Sequence, residues 1–127
     1  MRFISTRTHG VIDYAMGLFL IVSPWVLNFA RQGAETWVPI VLGVGALGYS
    51  MLTRYELGVW PTIPMNVHLM LDAGSGIVLA ISPWLFGFSS FVWIPHVVLG
   101  LMEVGSAFAT ETTPGTRTVH RGGMAGI

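Results

Sequence analysis

The sequence predicts an all-α membrane protein: a bundle of four transmembrane helices built from two parallel-repeat helical hairpins with pseudo-two-fold symmetry. Three observations predict it. Only 9 % of the 127 residues are charged and 53 % are apolar, where an ordinary soluble domain carries about 25 % charge. A soluble chain this small would need more polar surface, not less. Four charge-poor runs approach the ~20 residues that cross ~30 Å of hydrocarbon at 1.5 Å per helical residue. Finally, the first half of the chain recurs in the second.

The first run, near residues 9 to 29, follows Arg2 and Arg7 and has the outline of a secretory signal peptide. Its recurrence downstream assigns it to the fold instead. The second, 36 to 54, holds no charge between Thr36 and Thr53. The third and fourth, 67 to 88 and 92 to 110, share a stretch from Ala73 to Met102 without a charge, too long for one span. Gly87, Phe88, Ser89 and Ser90 divide it by a turn, as Arg31 to Glu35 do earlier. Such short outer connections make each pair an antiparallel hairpin. The link from Tyr55 to Asn66, with Pro61 and Pro64, joins the hairpins. Residues 1 to 111 then form the transmembrane domain, with repeats at about 7 to 54 and 66 to 110. Residues 112 to 127, rich in Thr, Pro and Gly, read as a flexible cytoplasmic tail.

Sliding the chain by 59 residues superimposes His9 on His68, Asp13 on Asp72, Gly17 on Gly76, Leu20 on Leu79, Ser23-Pro24-Trp25 on Ser82-Pro83-Trp84 and Phe29 on Phe88. Sliding by 56 aligns Trp37, Pro39 and Ser50 with Trp93, Pro95 and Ser106. A unit of two spans repeats with the same orientation, so the axis relating the copies lies along the membrane normal. Arg2, Arg7, Arg54, Arg117 and Arg121 fall on one side and only Arg31 on the other, which places both termini in the cytoplasm. Trp25, Trp37, Trp84 and Trp93 mark the opposite interface, with Phe29, Phe88 and Phe91 beside them.

Two copies of Ser-Pro-Trp, each followed four residues after the Trp by Phe and preceded by His-x-x-x-Asp, resemble the SPW repeat family of small bacterial integral membrane proteins, over about residues 7 to 110. The resemblance implies a four-helix protein of two hairpins in the bacterial inner membrane, and no particular activity. The motif also has a direct physical meaning. Pro24 and Pro83 lack the N–H that would bond the carbonyls of Leu20 and Leu79. The Ser23 and Ser82 hydroxyls, local rewinding or a neighbouring helix must satisfy those groups, with a bend at the outer helix end. Small residues in the last three spans, including Gly76-x-x-x-Ala80 and Ala46-x-x-x-Ser50, permit close packing within the chain or self-association.

Ionisable groups at membrane depth cost at least ~2.5 kcal/mol each and need a reason. Asp13 and Asp72 lie about 18 Å below their tryptophans by helical rise, and Glu103 about 15 Å below Trp93. The three form a layer, with His9 and His68 one turn nearer the cytoplasm. His9 and His68 each share a helix face with the aspartate four residues on. Each pair satisfies itself, or the two converge on the axis. Convergence would suit a divalent metal held by His9, Asp13, His68 and Asp72, a proton relay, or a haem held by both histidines. Glu103 aligns with Leu47 and needs a partner such as Tyr14, Tyr49 or a histidine; His96 reads as an interface residue.

The absence of cysteine excludes disulfides and thiolate chemistry. A formal net charge of zero and no basic cluster exclude nucleic acid. No phosphate loop, nucleophile elbow or zinc-protease motif is present. The expected role is thus non-catalytic, a structural or accessory subunit that packs as a homo-oligomer or within a larger membrane complex. The alternatives are an intramembrane metal, haem or proton-relay site formed by the duplicated His-x-x-x-Asp pairs, with Glu103 in the same polar cluster, or a small channel or transporter.

Overall fold

A computed structural model describes residues 2–114, and among them the chain forms four α-helices and no strand: α1 Thr6–Val26, α2 Ala34–Met51, α3 Met65–Leu85 and α4 Ile94–Ala109. Most of the tail expected at 112 to 127 lies outside the described residues. Helices α1 and α3 are each long and apolar enough to cross a membrane, and α4 is a shorter apolar helix.

The first three helices begin two to three residues before their charge-poor runs, because caps and not hydropathy set a helix start. Ser5 accepts the Thr8 backbone N–H at 3.1 Å and caps α1. Pro64 precedes α3, and Pro95 stands in the first turn of α4, where its missing N–H costs nothing. The aligned residues Asn28 (φ 60°) and Gly87 (φ 77°) turn the chain left-handed after α1 and α3. Behind them the N–H groups of Phe29 and Phe88 reach back to the carbonyls of Pro24 and Pro83, both at 2.8 Å.

Each proline therefore stands in the last turn of its helix. The freed carbonyls accept from the preceding serines, Ser23 Oγ to Leu20 O at 2.9 Å and Ser82 Oγ to Leu79 O at 2.7 Å. Both serines are fully buried, so no water substitutes. Ser23→Ala and Ser82→Ala are each expected to lower stability by about 1–3 kcal/mol, the cost of a stranded buried carbonyl, read as the shift of the unfolding transition in detergent.

Packing is densest between α1 and α2 and between α3 and α4. A Cβ on Gly43 would stand 2.7 Å from the Gly17 carbonyl oxygen, and one on Gly76 2.6 Å from that of Gly100. Backbone meets backbone at both crossings. Ala80 also lines the second crossing, so the Gly76-x-x-x-Ala80 pair serves packing within the chain and is not free for self-association. Leu20, Leu79 and Leu99 form one buried apolar cluster; Tyr55, Met65, Leu69 and Ala107 form another. The link between α2 and α3 folds under the bundle, where Tyr55 is buried and Tyr14 donates to the Leu57 carbonyl at 2.8 Å.

Trp25, Trp37, Trp84 and Trp93 are all exposed, between 46 % and 62 %. Phe29 and Phe88 are not part of that rim. They are buried on either side of His96, with ring centroids 4.9 Å and 4.8 Å away. His96 is likewise buried and not interfacial, its Nε2 donating to the Glu35 carbonyl at 2.9 Å. The Glu35 carbonyl, left free because Pro39 four residues on has no N–H, and two aromatic faces explain why an imidazole is drawn inward there.

Candidate metal centre

Helices α1 and α3 carry His9, Asp13, His68 and Asp72 one turn apart on inward faces, and the four side chains meet. Each imidazole Nε2 lies between both carboxylates. His9 Nε2 is 2.7 Å from Asp72 Oδ2 and 3.0 Å from Asp13 Oδ1. His68 Nε2 is 2.8 Å from Asp13 Oδ2 and 3.1 Å from Asp72 Oδ2. The shorter contact of each histidine thus crosses to the other helix. All four residues are buried, and one donor atom from each falls within 4.8 Å of every other.

The outer nitrogens fix the tautomers. Thr53 gives its proton to the Tyr49 carbonyl at 2.6 Å, so its oxygen accepts from His68 Nδ1–H at 2.6 Å. Thr110 gives its proton to the Ser106 carbonyl at 2.6 Å and accepts from His9 Nδ1–H at 2.7 Å. Ser106 Oγ lies 3.1 Å from the same nitrogen. With Nδ1 committed as a donor on both rings, both Nε2 atoms face the centre, where each shares a proton with the carboxylates and offers a lone pair once that proton leaves. Outer partners of this kind orient ligating histidines in metal sites.

The carboxylates are held as firmly. Tyr49 donates to Asp72 Oδ1 at 2.5 Å and Tyr55 to Asp13 Oδ2 at 2.8 Å. Burial, and then the Asp13 carboxylate, push the Tyr55 hydroxyl well above the usual phenol range, so it stays protonated and keeps donating.

Glu103, on α4, stands beside this set. Its partner is Ser75, 3.0 Å from Oε2, and not Tyr14, Tyr49 or a histidine, because those hydroxyls go to Leu57 and Asp72 and both ring nitrogens of His9 and His68 are engaged. Its Oε1 is buried without a hydrogen-bond partner. The Ser-Pro-Trp residues Ser23, Pro24, Trp25, Ser82, Pro83 and Trp84 sit at the other end of α1 and α3 and take no part in the centre.

Thr53, Tyr55, Thr110 and Ser106 escaped sequence reasoning. Thr53, Tyr55 and Thr110 lie past the helix ends, where no periodicity points. The usable signal is the pairing Ser50…Thr53 and Ser106…Thr110 after the second helix of each unit.

These features define a small all-helical protein with two helices apolar enough to cross a membrane and a buried cluster of two histidines and two aspartates between them. The chain belongs to the SPW repeat family, whose repeat-domain model matches residues 7–110. A search of the curated proteins and one of the solved structures found no match. The apolar helices and the family membership are together compatible with a small membrane protein.

Proposed function

We propose that this is a non-catalytic, four-span protein of the bacterial inner membrane whose two like-oriented hairpins are clasped by one divalent metal ion, held by His9, Asp13, His68 and Asp72. The observation that carries the reading is the pair of buried Nε2 atoms aimed between two carboxylates, with both Nδ1 atoms tied to threonines. Zinc, manganese or iron(II) suits two imidazoles and two carboxylates.

Charge balance favours a divalent ion. Without metal, two protons shared between the Nε2 atoms and the carboxylates make the set neutral. A divalent cation that displaces both protons leaves it neutral again, which a low-dielectric interior demands. Binding therefore releases two protons per ion by this balance. The same geometry disfavours haem, because the carboxylates occupy the space between the imidazoles through which a porphyrin would pass.

Both termini face the cytoplasm in this reading, with the centre near that side and the tryptophans at the other. Short outer loops leave nowhere for a soluble active site, and the many exposed apolar side chains face lipid, a second copy or a larger membrane complex.

The test is metal analysis of the full chain in detergent after chelation and reloading. About one tightly held ion per chain is expected, with about two protons released on loading. Thr53→Val and Thr110→Val should each weaken metal affinity about 10–100-fold while leaving stoichiometry intact. Absence of stoichiometric binding by zinc, manganese and iron(II) would contradict the proposal.

A further inference from the structure

A cavity of about 380 Å³ lies between α1 and α4, walled by Ile12, Met16 and Met102 and reaching inward to Glu103 and to His9, Asp13 and Asp72 of the cluster. It meets the protein surface at Met102 and Gly105, both exposed. Its walls are almost wholly apolar and its floor is acidic, the composition of a small-molecule site.

Two independent observations say what belongs there. The first is an aligned side chain. With the 56-residue offset Tyr49 falls on Gly105. In the first unit the Tyr49 ring packs edge-on against His68, centroids 5.1 Å apart, and its hydroxyl donates to Asp72. In the second unit there is no side chain, and a Cβ added at Gly105 meets nothing within 4 Å. The cavity thus opens where the repeat would otherwise place a phenol. The second observation is Glu103 itself. It is 91 % buried, lines the cavity, and its Oε1 has no hydrogen-bond partner, although the aligned residue is Leu47. A buried carboxyl oxygen left unpaired is costly, and a donor arriving from the cavity would satisfy it.

We propose that the α1–α4 cavity binds a hydroxyl-bearing aromatic ring, a phenol or the headgroup of a quinol, with the ring beside Gly105, where the second unit lacks the Tyr49 phenol, and the hydroxyl on Glu103 Oε1. Asp13, the counterpart of Tyr49's acceptor Asp72, is already engaged through both oxygens by His9, His68 and Tyr55. The lining holds no arginine or lysine, its His9 already serves Asp13 and Asp72, and its other ionisable groups are carboxyls, so an anionic ligand does not fit. The open edge past Met102 and Gly105 accommodates a tail. The site borders His9, Asp13 and Asp72 but does not rest on the metal reading, since the hydroxyl's partner, Glu103, stands outside that cluster.

The test uses the full chain in lipid nanodiscs and a diazirine-bearing phenol as photolabel. Label is expected on α4 between Met102 and Ala109, displaced by 4-methylphenol and about 2- to 10-fold less well by toluene, the loss of one hydrogen bond. Gly105→Tyr fills the cavity and should abolish labelling in a protein that still elutes as a folded species. Glu103→Leu, which introduces the residue of the aligned position, keeps the ring site and should erase the preference for 4-methylphenol over toluene. Displacement by a long-chain 4-alkylphenol at lower concentration than 4-methylphenol would assign the ligand to the lipid phase, and the reverse order would assign a free phenol; either supports the site. Labelling spread over all helices, toluene competing as well as 4-methylphenol, or full labelling of folded Gly105→Tyr would overturn the proposal.

Discussion

His68→Leu is expected to destabilise the protein by about 3–5 kcal/mol, a large part of the total for a small domain. His68 is fully buried and bridges the Asp13 and Asp72 carboxylates at 2.8 and 3.1 Å. Leucine keeps most of the volume but leaves His9 as the only imidazole between two carboxylates. The loss arises from uncompensated polarity more than from a missing contact, which a second variant separates. Replacing all four of His9, Asp13, His68 and Asp72 by apolar residues of similar size should recover much of the stability, because no buried charge is stranded. Unfolding by denaturing detergent in mixed micelles reads both effects. A His68→Leu protein as stable as its parent would mean that the cluster does not join the helices.

Gly100→Leu is expected to leave little folded protein. A Cβ there would fall against the Gly76 carbonyl oxygen, 2.7 Å from the Ala80 nitrogen and 2.9 Å from the Ala80 Cβ. Backbone atoms cannot swing aside as a side chain can, so α3 and α4 must separate, at a cost above the ~1–3 kcal/mol of ordinary overpacking. Gly45→Leu is the control. Nothing lies within 4 Å of its added Cβ, and replacing glycine in a helix interior should be neutral or stabilising by up to about 1 kcal/mol. Monodisperse yield on size exclusion distinguishes the two, and equal yields would contradict the close crossing of α3 and α4.

The helical class and the number of helices were legible because apolar runs and the duplication are properties of the sequence itself. Helix starts were not, since a side chain such as Ser5 caps a helix whatever its hydropathy. The link between Pro24 and Ser23 was readable from covalent chemistry alone: a proline names the carbonyl it frees. The duplicated His-x-x-x-Asp spacing identified the residues of the centre but left their partners open. Helical spacing sees only the neighbour four residues on, whereas the shortest contacts of His9 and His68 run to the other helix. Tyr55 was hidden for a further reason. It belongs to a link whose path depends on how the bundle is closed beneath it. Phe29, Phe88 and His96 misled because an aromatic residue near a helix end serves equally as an interface anchor or as packing for a buried ring.

X-ray absorption at the metal edge of the zinc-loaded protein tests the central claim most directly. The account predicts nitrogen and oxygen donors at about 2.0–2.2 Å from zinc, no sulfur, and a scattering pattern from two imidazoles, with one imidazole lost in His9→Gln. A zinc ion surrounded by water oxygens alone, or a spectrum unchanged in His9→Gln, would contradict it.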